Sequence, residues 1–155
     1  MFAIHQRDVP EQVVLTEQRH VRAADLPDWI RAAGNRLVKA AADHGGVSGP
    51  CFVVYHGPVT EDGEVLVEMC APIGADGELA KNSAVRLEPA HREAYVRVKK
   101  SQLVFPEIRT VYVALAKHLE AQCTEIVDSP REVYFADVSA AGPDEDVCDV
   151  AFPIR

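Results

Sequence analysis

The apolar positions of this chain change period several times, and the changes predict its elements. Over residues 11–21, Val13 and Leu15 stand in partial alternation with polar neighbours, which reads as a strand. Ile30, Ala33, Leu37 and Ala41 then recur at helical spacing. Asp25 is placed to cap that helix, and Pro27 is tolerated in its first turn. Gly45-Gly46 stops it and begins a loop. Residues 52–56 and 65–71 read as strands, separated by the turn formers Gly57, Pro58, Asp62 and Gly63. The same order returns in the second half. Ala94, Val96 and Val98 alternate with Tyr95, Arg97 and Lys99, a strand with one wet face. Ile108, Tyr112, Leu115 and Leu119 form a helical stripe, and residues 131–136 and 147–154 read as closing strands. Residues 74–86, which contain Gly, Asp, Lys and Asn, read as an exposed linker or a short strand lead-in.

The repetition extends to residue types. Gly49-Pro50-Cys51-Phe52-Val53-Val54-Tyr55 is matched by Ser129-Pro130-Arg131-Glu132-Val133-Tyr134-Phe135, 80 residues on. Val67-Glu68-Met69-Cys70-Ala71-Pro72-Ile73 is matched by Cys148-Asp149-Val150-Ala151-Phe152-Pro153-Ile154, 81 residues on. Leu26-Pro27 and Phe105-Pro106 open the two helical patterns at a spacing of 79. Such a period is too long for a solenoid and reads as two copies of one module. The predicted fold is therefore α+β. A strand-helix-strand-strand module is duplicated, one copy over about residues 1–74 and the other over about 83–155. The two copies form one domain with an antiparallel sheet, two helices on one side and a ligand cleft between the modules.

Charge and cysteine usage narrow the function classes. Sixteen basic and 24 acidic residues leave a net charge of −8, which disfavours nucleic acid and anionic lipid as partners. No apolar run approaches the roughly 20 residues of a membrane span, and residues 1–10 lack a signal-peptide core. A cytoplasmic location is expected. Cys51, Cys70, Cys123 and Cys148 are widely spaced, so free thiols are expected and no metal is. No dinucleotide or phosphate-loop motif is present, and Gly46-Val47-Ser48-Gly49-Pro50 is not a hydrolase elbow. No cofactor is expected, and a homodimer is compatible with the sequence.

Taken together, Gly49-Pro50, Tyr55-His56-Gly57-Pro58, residues 67–73, His91-Arg92-Glu93-Ala94-Tyr95-Val96-Arg97, Pro130-Arg131-Glu132-Val133-Tyr134 and residues 148–154 resemble the GyrI-like family over nearly the whole chain. Members are small-molecule-binding domains, found alone or behind the DNA-binding part of AraC-type and multidrug-responsive regulators. The resemblance implies a duplicated module of this kind and a cleft for hydrophobic, often cationic compounds. A helix-turn-helix has no room in these 155 residues. In drug-responsive members a buried glutamate on the penultimate strand meets the cation among aromatic residues, and Glu132 matches it. Other members are hydrolases of cyclopropane-containing genotoxins, or bind a protein such as gyrase.

The candidate ligand-binding residues are Glu132, Tyr134, Tyr112, Phe52, His56, Trp29, Tyr55 and Glu68. Glu132 reads from its neighbours alone as a solvated edge acid or a partner of Arg131; the resemblance turns it into the anchor. A carboxylate in an apolar cleft is costly to ionise, and a bound cation offsets that cost. Tyr134, two residues on, shares its strand face and reads as a ligand contact or a packing aromatic. By the spacing of 80, Phe52 and Val54 correspond to Glu132 and Tyr134, and His56 continues that face. Tyr112 reads as core or as pocket wall, a place where the family often has a ligand-contacting tyrosine. Tyr55 has the parity opposite to His56 and reads as turned toward the helices. Trp29, off the Ile30 stripe, reads as a cap on the cleft or a cover for the module edge. Glu68 and Asp149 are repeat equivalents with an expected structural role, such as pairing with Arg97 or Lys99; Glu68 is also a second pocket acid. Three functions stand open: a binder of hydrophobic cations, a hydrolase using Glu132 as general base with a tyrosine stabilising developing charge, and a protein-interaction module.

Overall fold

The computed structural model describes residues 2–74 and 84–155. Eight antiparallel strands and two helices make up the α+β fold, in two compact units, residues 10–90 and residues 1–9 with 91–155. In chain order the elements are β1 (Ile4–Val9), β2 (Gln12–Arg22), α1 (Leu26–Ala41), β3 (Cys51–Tyr55), β4 (Glu64–Ile73), β5 (Val85–Glu88), β6 (His91–Lys99), α2 (Arg109–Ala121), β7 (Arg131–Tyr134) and β8 (Asp146–Ile154). Most of the 74–86 stretch read as a linker lies outside the described residues, and its end begins β5.

The unit of residues 10–90 has strand order β3-β4-β2-β5, covered on one face by α1. Leu26, Trp29, Ala33, Leu37 and Ala41 are the buried stripe of that helix. The stripe therefore runs through Leu26 and Trp29, not through Ile30, which is half-buried. Trp29, 7% exposed, is packed as core. Asp25 makes no side-chain cap, because a preceding 3-10 turn at Ala23–Asp25 already places it in helical conformation. Gly34 lets the helix approach the sheet: a Cβ there would lie 3.1 Å from Met69 Cε. The helix leaves through Gly45 and Gly46, both with left-handed φ near +85 to +89°.

The other unit has strand order β1-β6-β8-β7, covered by α2. Ala94, Val96 and Val98 of β6, with Cys148, Val150 and Ile154 of β8, pack beneath Ile108, Val111, Leu115 and Leu119. Leu115 and Leu119 are almost fully buried, each contributing about 1.5–3 kcal/mol of apolar transfer.

Strand β1 was not anticipated, and its pairing shows how the duplication is built. By position β1 belongs with β2, yet it pairs with β6; β5 precedes β6 and pairs with β2. The copies have exchanged their first strands. Arg7 of β1 and Arg86 of β5 stand 79 apart, as do Pro10 and Pro89 just beyond these strands. The pairings also correct the repeat register. Phe52 pairs with Cys70, and Arg131 pairs with Ala151. With β4 and β8 matched at 81, β3 and β7 match at 79. Glu132 therefore corresponds to Val53 and Tyr134 to Tyr55, not to Phe52 and Val54. The buried helix stripes match at 82, Leu26-Trp29-Ala33-Leu37 with Ile108-Val111-Leu115-Leu119. Pro27 and Pro106 thus occupy different places: Pro27 is in the first turn of α1, whereas Pro106 precedes α2.

Candidate functional site

The faces of the strands separate the candidate residues into two groups. In the α2 unit, Glu132 lies opposite Val150 and Tyr134 opposite Cys148. Both strand partners belong to the core under α2, so Glu132 and Tyr134 face the helix. Tyr112 comes down from α2 onto the same spot. Its hydroxyl donates to Glu132 Oε2 at 2.5 Å, and the Tyr134 hydroxyl donates to Oε1 at 2.6 Å. Each carboxylate oxygen thus accepts a short hydrogen bond from a phenol. Glu132 is 5% exposed, whereas Tyr112 and Tyr134 are half-buried. Both phenol residues keep part of their surface exposed, and the carboxylate they hold is buried.

Phe152 completes the arrangement, and the sequence reading had not singled it out. It faces α2 from β8 and meets the Tyr112 ring edge-on, with centroids 6.1 Å apart and planes at 83°. The signal that could have found it is its place in the repeat, where Ala71 is the counterpart.

In the α1 unit, Met69 reaches toward α1, so Glu68 and Cys70 point to the opposite face. Phe52 is paired with Cys70 and Val54 with Glu68, and they share that face. His56 lies there too, its Nε2 3.0 Å from Glu68 Oε1. Tyr55 has the helix-side parity, the counterpart of Tyr134. Within their units, then, Phe52, His56 and Glu68 stand on the face away from the helix, and Glu132, Tyr134 and Tyr112 on the face toward it.

Glu68 is held by several groups. Thr16 Oγ1 donates to it at 2.5 Å and Arg86 Nε at 2.6 Å, while Arg86 also reaches Glu88 at 3.1 Å. Burial alone would raise the Glu68 carboxyl. Hydrogen bonds from Arg86, Thr16 and His56, with the charge of Arg86, outweigh it and hold the group at about 2. The repeat equivalent Asp149, 1% exposed, is met by Arg7 at 2.8 Å and by Arg97 at 2.9 and 3.1 Å. Of the partners expected from the sequence, Arg97 or Lys99, Asp149 takes Arg97, whereas Glu68 takes Arg86 instead. Arg7 also binds Glu93, whose carboxyl burial would raise but whose contacts with His91 and Arg7 keep low. In both units, then, a buried acid takes an arginine from the exchanged edge strand. Among the described residues, no group of three or more His, Cys, Asp or Glu is arranged to hold a metal ion.

A four-stranded antiparallel unit with one covering helix, present twice, is the GyrI-like fold, and this chain has it. Solved structures share that architecture. The C-terminal domain of EcmrR is similar at a TM-score of 0.79 and 21% identity, over 100% of this chain and 98% of that one. In a DNA complex of EcmrR, the matched part is 57% of the EcmrR chain. A hydrolase from Listeria innocua is similar at a TM-score of 0.68 and 14% identity, over 98% of this chain and 91% of that one. SAV2435 bound to tetraphenylphosphonium is similar at 0.59 and 11% identity, over 99% and 94%. No family model and no curated protein matches the sequence. No helix among the described residues is long and apolar enough to cross a membrane.

Proposed function

We propose that this domain binds a hydrophobic organic cation at Glu132, with Tyr112 and Tyr134 as the aromatic surround. The observation that carries the reading is a 5%-exposed carboxylate whose two oxygens are held by two phenols. Phenols donate hydrogen bonds that orient the carboxylate. At about 4 Å and an effective dielectric near 20, a ligand cation gains roughly 4 kcal/mol of Coulomb attraction, before desolvation is subtracted. Aromatic faces add cation–π attraction. The complex of SAV2435 with tetraphenylphosphonium supports the choice of ligand class.

The test is calorimetric titration of tetraphenylphosphonium into wild type and Glu132→Gln, with melting temperatures recorded for both. The amide keeps the shape and loses the charge, so affinity is expected to fall about tenfold or more. Equal affinity in both proteins would remove Glu132 as the anchor. A second reading keeps the same residues: Glu132 as general base and a tyrosine stabilising developing charge in hydrolysis of a strained electrophile. The fold shared with a Listeria innocua hydrolase favours testing it. Mass spectrometry of each compound after incubation separates the two, since only hydrolysis adds one water.

A further inference from the structure

We propose that Phe152 is a positioning residue of the Glu132 site, whose ring holds Tyr112 so that its phenol stays on the carboxylate. The role in ligand affinity rests on the cation reading above; the role in placing Tyr112 does not. Tyr134 shares a short strand with Glu132 and reaches the carboxylate from two residues away. Tyr112 must reach it from α2, across 20 residues of sequence. Its ring therefore needs lateral support, and Phe152 supplies it edge-on at 6.1 Å.

The duplication provides an internal control. At the matched positions of the α1 unit, Val53 replaces Glu132, Ile30 replaces Tyr112 and Ala71 replaces Phe152. Tyr55 alone retains the counterpart of Tyr134. Where the acid is absent, the helix phenol and the supporting ring are absent with it. The packing was adjusted to suit. Phe152 lies opposite Ala94 on β6, whereas its counterpart Ala71 lies opposite Leu15 on β2. Large and small residues have changed places across equivalent strand pairs, so the room for Phe152 is made by a fully buried alanine. Val53 and Ile30 need no such support, because apolar contacts lack the directionality of a hydrogen bond.

The experiment uses two readouts. The first needs no ligand: exchange of the Tyr112 and Tyr134 hydroxyl protons with water, followed by NMR and assigned with Tyr112→Phe and Tyr134→Phe. Phe152→Leu is expected to speed exchange at Tyr112 while leaving Tyr134 unchanged; Phe152→Tyr keeps a ring and is expected to preserve both. Equal acceleration at both hydroxyls, or at neither, overturns the positioning role. The second readout is tetraphenylphosphonium affinity. Phe152→Leu is expected to weaken it about fivefold in the wild-type background and less than about twofold in Tyr112→Phe, where no phenol remains to be placed. Equal losses in both backgrounds overturn the claim that Phe152 acts through Tyr112. If wild type binds no tetraphenylphosphonium while the hydroxyl protons still separate, the cation reading fails and the positioning role stands. Thermal melts of each variant exclude unfolding as the cause.

Discussion

Replacing Arg86 by Met should unlatch the exchanged strand β5, and the cost should vanish in acid. Arg86 brings its guanidinium to Glu68 at 2.6 Å and to Glu88 at 3.1 Å, and these acids are only 1% and 3% exposed. The Glu68 carboxyl is held at about 2 against an ordinary 4.5. A depression of that size corresponds to about 3 kcal/mol of stability. Its folded value lies below its unfolded value, so the contribution is complete above pH 4.5 and is lost as pH falls toward 2. Thr16 and His56 share the work, and the Arg86 side chain is 31% exposed, so its own share is discounted. Arg86→Met is then expected to cost about 2 kcal/mol at pH 7 and less than about 1 kcal/mol at pH 2.5. Urea unfolding of both proteins, followed by circular dichroism at the two pH values, measures this directly. An identical cost at both would mean that the arginine stem, not its charge, stabilises the edge, and would refute the reasoning.

Two further outcomes follow from burial. Cys123 is exposed whereas Cys70 and Cys148 are buried, and burial pushes both buried thiols up; a brief iodoacetamide pulse followed by peptide mass spectrometry should label Cys123 first, and labelling of Cys148 at the same rate would contradict the packing under α2. Ala94→Leu places extra bulk against Phe152 beneath α2 and should cost about 1–3 kcal/mol in urea unfolding, while Val38→Ala on the exposed face of α1 should cost less than about 0.5 kcal/mol.

Much of this was legible in the residues. Period-two and period-3.6 patterns located both helices and six of the eight strands, because burial of one face imposes that period locally. Strands β1 and β5 were harder. In β1 only Ile4, Arg7 and Val9 are half-buried and the rest is exposed, so an edge strand leaves little apolar alternation to read. The shared face of Glu132 and Tyr134 followed from parity, and repeat symmetry pointed to a structural role for Asp149 and Glu68; the choice of Arg97 for one and Arg86 for the other did not follow. The match of Glu132 to Phe52 did not hold, because a repeat register wrong by one residue turns every side chain of a strand to the other face.

From its sequence alone, then, the chain determined both helices and six of the eight strands, that the module occurs twice, and which residues of one strand share a face. These are local properties, set by the geometry of one element. Only the tertiary structure decided that the first strands are exchanged, that Arg7 and Arg86 meet buried acids in equivalent places, and that Phe152 meets the Tyr112 ring edge-on. An alternating pattern states that a side chain must be buried; it does not state against which strand or beneath which helix. That choice is made among distant segments competing for the same edge and the same volume, and it is settled by register, close packing and the pairing of buried acids such as Glu68 and Asp149.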